Sequence, residues 1–296
     1  MDSTMIIQKN LHQVVIIFVL IASITTGCRS TDEYKKFANA GSQYTNAVDK
    51  LLDTASNIRI DTTSEQLLRN DRILNQTIED YQKLAQVDEE RLEVLGKLRK
   101  HNKLLGDYFR LLNELASSDA PTRAQGEIAG VVDNLNNIGK QLQVSNLITN
   151  SGLIQGITNL VVSSQIRGAL RDELEKRNRT IMLELTIQKE MLKALGDSIT
   201  QDVKLIRIAR EERFIIRPLI QDTAISDADT WIETRRNLLI MEARGKELNE
   251  ASKTLSNFQK VFQDFVEGKL SLARLNAFLQ DVDAFLQLVE ADKKPK

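Results

Sequence analysis

The chain has 296 residues, 42% of them hydrophobic, and its 40 Lys and Arg against 41 Asp and Glu leave a formal net charge of −1. That is enough apolar material for a sizeable core, and too even a charge balance to draw the protein to nucleic acid. One cysteine and two histidines are too few for the usual zinc, haem, thiol or Ser-His-Asp sites, so no catalytic constellation, metal or cofactor is expected.

The first 27 residues have the parts of a secretory leader: a polar start carrying Lys9, an apolar run over 14–24, then Thr25, Thr26 and Gly27. As a helix the apolar run would reach only about half of a ~30 Å bilayer core, so removal is expected rather than a permanent span. The ending Ile24-Thr-Thr-Gly-Cys28 resembles the lipobox of bacterial lipoproteins; Gly27 matches it, while Thr25 stands where leucine is usual. The resemblance covers residues 1–28 and implies cleavage between Gly27 and Cys28, lipidation of Cys28 and tethering of the rest to a membrane. Arg29 is not the aspartate that holds some lipoproteins at an inner membrane. The implied location is the bacterial cell envelope, on the periplasmic face of an outer membrane where the cell has two. Loss of the leader also removes His12 and leaves His101 as the sole histidine.

Residues 28–296 read as a single all-α domain. Proline occurs only at 121, 218 and 295, and runs of alternating polarity bounded by turn residues are missing. The expected helices cover about 30–59, 62–117, 121–163, 165–217, 226–267 and 270–290. Capping boxes at Ser30-Thr-Asp-Glu33 and Thr62-Thr-Ser-Glu65 mark the first two starts. Tyr34, Phe37, Gly41, Tyr44, Val48, Leu51, Ala55 and Ile58 recur in steps of three and four, a narrow seam that must meet a partner helix. The second helix continues such a seam through Leu95, Leu98, Leu105, Phe109, Leu112 and Ala116. Pro121 suits a first helical turn, and Val131, Leu135, Ile138 and Leu142 follow it. The fourth helix carries Leu170, Leu174, Ile181, Leu185, Leu192, Leu195, Ile199, Val203 and Ile206 until Pro218 stops it. Ser226-Asp-Ala-Asp229 caps the fifth helix and Gly268 suits its end. Long helices with short connections fold back on one another, which predicts an elongated antiparallel bundle with coiled-coil-like helices.

Four features bear on function. Residues 141–166 carry no charge, which raises a pore-former reading; Asn146, Asn150, Gln155 and Asn159 argue instead for a place inside or at the end of the bundle. Lys204, Arg207, Arg210, Arg213 and Arg217 recur at helical spacing and form a possible anion-binding stripe, although Glu211 and Glu212 interleave with it. His101 lacks the Glu-x-x-His context of a di-metal bundle and reads as a surface or boundary residue; Trp231 reads as a seal at a bundle end. Asp281 and Asp283, two apart, diverge on a helix and share nothing. The function expected is a lipid-tethered structural or interaction protein, not an enzyme, with the membrane and an unidentified envelope protein as partners.

Overall fold

The computed structural model describes residues 26–70, 77–117, 121–145, 157–220, 224–241 and 245–291, and every regular element among them is helical. Helix α1 spans Thr26–Asn70, α2 Ile78–Ser117, α3 Pro121–Gln143 and α4 Gly168–Arg210. A π-helical segment, Glu211–Ile216, leads into the short α5, Arg217–Ile220. Then come α6, Ala228–Ile240, α7, Gly245–Val266, and α8, Leu272–Ala291. The protein is an all-α bundle. Residues 1–25 of the expected leader lie outside the described residues, and Cys28 falls in the first turn of α1.

The apolar seams meet. Phe37, Tyr44, Val48 and Leu51 of α1, Leu98, Leu105 and Leu112 of α2, and Leu174, Ile181, Leu185 and Leu192 of α4 belong to one continuous buried cluster. Each such side chain, removed from water, contributes about 1.5–3 kcal/mol. Near the start of α1 the cluster becomes aromatic: the Phe37 ring lies 4.4 Å from Phe258 and 6.0 Å from Phe278, centroid to centroid. Gly41 makes room for this, since a Cβ there would sit 2.7 Å from the Phe109 ring and 2.9 Å from Phe258.

Cross-helix contacts fix the directions. Arg99 of α2 reaches Asp49 and Asp53 of α1, and Thr63 donates to Asp88 at 2.6 Å, so α1 and α2 are antiparallel. Helix α7 runs antiparallel to both α1 and α4, with Tyr44 Oη donating to the Ala251 carbonyl at 2.8 Å and Ser252 Oγ to that of Lys189 at 3.1 Å. Helices α1 and α4 are parallel, for Arg59 pairs with Asp202 and Arg210 with Asp61.

Several expected boundaries are corrected. Helix α1 is already helical at Ser30 and does not restart at Thr62. The hydroxyls of Thr62 and Ser64 donate back to the carbonyls of Ile58 and Ile60, while the Glu65 carboxylate is taken by Arg210 of α4 and Arg213 of the π-helical segment, so neither half of that capping box caps anything. The helix expected over 121–163 ends at Gln143, and 157–163 is non-helical chain lying along α4. There the Asn178 amide grips Leu160 from both sides, accepting its N–H at 2.9 Å and donating to its carbonyl at 3.2 Å, and Arg179 donates to the Ile157 carbonyl. Because the chain returns before α4 starts, α3 and α4 are parallel: Gln125 reaches Ala169, and Ser145 reaches Met191. Pro218 does not stop the fourth helix. It has no N–H and its ring crowds the carbonyl four residues back, and the preceding turn widens, with the Arg217 N–H bonding Glu212 O, before the chain runs on to Ile220. The helix expected over 226–267 is described as two, α6 ending at Ile240 and α7 beginning at Gly245.

Candidate functional site

The arginine stripe lies where α4 passes the end of α1, and most of it turns toward protein. Arg210 Nε donates to Glu65 Oε1 at 2.7 Å and its Nη2 to Asp61 Oδ2 at 3.0 Å; Arg213 Nη2 shares the same Glu65 oxygen at 2.9 Å. Burial works against the Arg210 charge, but Glu65 and Asp61 outweigh it and raise its pKa. Arg207 pairs with Glu211 and Arg217 with Glu212. Four of the five stripe residues are thereby matched to carboxylates, and Lys204 remains on the exposed face. A groove of about 330 Å³ opens beside the stripe, with Leu68, Ile208 and Ile216 as its apolar surface.

The surface around the stripe exposes many apolar side chains, interleaved with charged ones such as Lys204, Glu212, Arg235 and Arg236. Of the seventeen large hydrophobic side chains exposed among the described residues, nine lie between Leu205 and Ile240, including Ile208, Phe214, Leu219, Ile220 and Leu239. Leu68, at the end of α1, lies beside them. Helix α6 is attached there by Trp231, whose Nε1 donates to the Ile215 carbonyl at 3.3 Å. This region sits beyond residue 60 of α1, about 55 Å from Cys28 at 1.5 Å per helical residue. Scattered exposed leucines need no explanation, whereas a concentration at one end marks a surface that contacts something.

His101 is not at the surface; it is fully buried. Its Nε2 lies 2.9 Å from Glu184 Oε2 and its Nδ1 2.7 Å from Gln188 Oε1, and the Gln188 amide donates to Asn102 Oδ1, whose own amide donates to the Thr45 carbonyl. Glu184 is admitted by Gly139 of α3, where any Cβ would collide with the carboxylate. This polar layer joins α1, α2, α3 and α4 at one height. Local sequence gave no signal of it, because His101 and its partners are more than eighty residues apart.

Among the described residues no group of three or more His, Cys, Asp or Glu has a metal-holding arrangement, and no helix is long and apolar enough to cross a membrane. Of the uncharged stretch 141–166, residues 146–156 lie outside the described residues, while Val162 and Ile166 are buried in the core cluster. Asp281 accepts from Asn257 at 3.2 Å, apart from Asp283. Comparison with known proteins finds no family model that matches the chain, and no curated protein or solved structure that matches it.

Proposed function

We propose that this chain is a lipid-anchored, extracytoplasmic spacer of the bacterial envelope, which holds an apolar protein-docking tip away from the membrane carrying its Cys28 anchor. The observation that carries the reading is the concentration of exposed apolar side chains at the end of the bundle remote from Cys28. The arginines beneath that surface are neutralised by Glu65, Asp61, Glu211 and Glu212, which suits a protein surface better than an anionic headgroup layer. The lipobox resemblance supports tethering, and Arg29 supports the periplasmic face of an outer membrane. One acyl chain binds a membrane only marginally, so the second chain usual in that family would be needed for a lasting anchor.

The test uses a photo-crosslinking residue placed in living cells at Leu219 or Leu239, with Lys253 on the bundle flank as control. The reading expects one discrete protein adduct from the tip positions, absent from Lys253 and lost with Ile220→Asp. Equal adducts from both regions would overturn the docking tip. Cys28→Ser is expected to abolish lipid labelling and release the protein from membranes; unchanged membrane association would overturn the anchor. The competing reading, a pore-former acting through 141–166, rests on the missing charge alone, and dye leakage from vesicles treated with the protein would favour it.

A further inference from the structure

Helix α3 covers the groove between α2 and α4 only as far as Gln143, whereas α2 and α4 continue. Around Ser145, side chains of α1, α2 and α4 line an open cleft of about 420 Å³. Leu95, Leu98, Met191 and Leu195 supply its apolar walls; Arg59, Arg91 and Glu90 stand at its polar side. We propose that this cleft binds a single-chain amphiphile with an anionic head, the acyl chain lying along Leu95, Leu98, Met191 and Leu195 and the head held by Arg91 and Arg59.

Size and lining both suit such a ligand. Small-molecule sites run from about 300 to 1,000 Å³ and combine apolar walls with a few convergent polar groups. Met191 supplies an unbranched thioether that adapts to a flexible chain. The charge arrangement selects the head. Arg59 is a buried guanidinium, held by Asp202 on one side and donating to Ser198 Oγ on the other, and burial lowers its pKa despite Asp202. The same burial raises the pKa of Asp202. Asp202 already matches Arg59, so the positive charge left over for an anionic head is that of Arg91, with Arg59 beside it as a hydrogen-bond donor. Arg91, on the exposed face of α2, has no carboxylate within ion-pair distance among the described residues; the neighbouring Glu90 accepts from Gln86 at 3.3 Å. A planar guanidinium free at the mouth suits a carboxylate or a phosphate monoanion equally. The proposal is independent of the docking tip, which lies higher on the molecule.

A free fatty acid and a lysophospholipid both carry this chemistry, and the experiment separates them. Membranes containing the full chain are exposed to diazirine-bearing dodecanoate, to a diazirine lysophospholipid with a phosphate head, and to the matching uncharged alcohol, and adducts are mapped by peptide mass spectrometry. The proposal expects adducts on the peptides holding Leu95–Leu98 and Met191–Leu195 from at least one anionic probe, at about tenfold the yield of the alcohol. The anionic probe that labels names the source. Met191→Trp, which fills the cleft, should remove the adducts. Arg91→Glu, a surface change that leaves the fold intact, should reduce anionic labelling about tenfold without changing that by the alcohol. Labelling elsewhere only, equal labelling by the alcohol, or adducts unchanged in both variants would overturn it.

Discussion

Three buried tyrosines do different things with the same hydroxyl. Tyr34, Tyr44 and Tyr108 are each at most 1% exposed, yet only Tyr44 donates to a partner, the Ala251 carbonyl, while the Tyr34 and Tyr108 hydroxyls meet none among the described residues. A hydrogen bond contributes about 1 kcal/mol net, whereas a buried polar group without one costs about 1–3 kcal/mol. Tyr44→Phe is therefore expected to destabilise by about 1 kcal/mol, and Tyr108→Phe to be neutral or stabilising; denaturant midpoints that move alike would sink the distinction. His101 poses the same question with charge. Its ring lies between Glu184 and Gln188, with Nδ1 2.7 Å from the Gln188 oxygen and Nε2 2.9 Å from the Glu184 carboxylate. His101→Leu strands the carboxylate, whose Oε1 already has no partner among the described residues, and is expected to cost about 3–5 kcal/mol. Adding Glu184→Met should recover most of the loss, because removing both partners leaves nothing unpaired. A double variant no more stable than the single one would mean that shape, not the stranded charge, sets the cost.

Helix ends show how locally a chain can be read. Gly268 was legible as the stop of α7: its φ of +72° lies in the left-handed region, its N–H bonds Phe265 O at 3.0 Å, and the Lys269 N–H bonds Asp264 O at 2.7 Å. Gly268→Ala should cost about 1–2 kcal/mol from φ alone, and more because its Cβ would press on Ser163; a thermal melt that does not move would contradict this. Asp227 was equally legible, its carboxylate accepting from the Thr230 N–H at 3.0 Å. The seams were legible because helical spacing is a property of the chain itself. What failed was chemistry with two readings. Thr62 and Thr63 suit a helix start, but a threonine hydroxyl in mid-helix can bond its own i−4 carbonyl, and Glu65 was needed by arginines some 145 residues away. The non-helical stretch 157–163 contains no proline, and its Leu160 and Ile157 backbone groups are held by Asn178 and Arg179 of another helix, which no local pattern announces. The exposed apolar surface depends on where neighbouring helices end, so nothing local in the sequence set Leu205 and Ile208 apart from the seam residues Val203 and Ile206 beside them.

A bundle of α1, α2 and α4, with 45, 40 and 43 residues, has many rows of packed side chains that must open together if it opens at all. That cooperativity is what the proposed spacer role would require, since a docking surface on one end of a bundle is positioned only as well as the helices beneath it are rigid. One core layer tests it directly: Leu185, fully buried between α4 and its neighbours, replaced by Asp should cost several kcal/mol and lower the melting temperature of the whole bundle rather than of one segment. The buried tyrosines extend the test to pH. Burial is the main cause that raises the pKa of Tyr34, Tyr44 and Tyr108 well above 10, so the folded state keeps protons that the unfolded chain releases near pH 10. Their stabilising contribution is complete below about pH 10 and falls away as the pH climbs above it. Urea midpoints should therefore decline above pH 10, and the phenolate absorbance of these three should appear only together with loss of the helical circular dichroism signal. Phenolate from buried tyrosines before any loss of helix would show that the aromatic end of the bundle opens by itself, which would count against the proposed spacer, since it requires that end to stay closed.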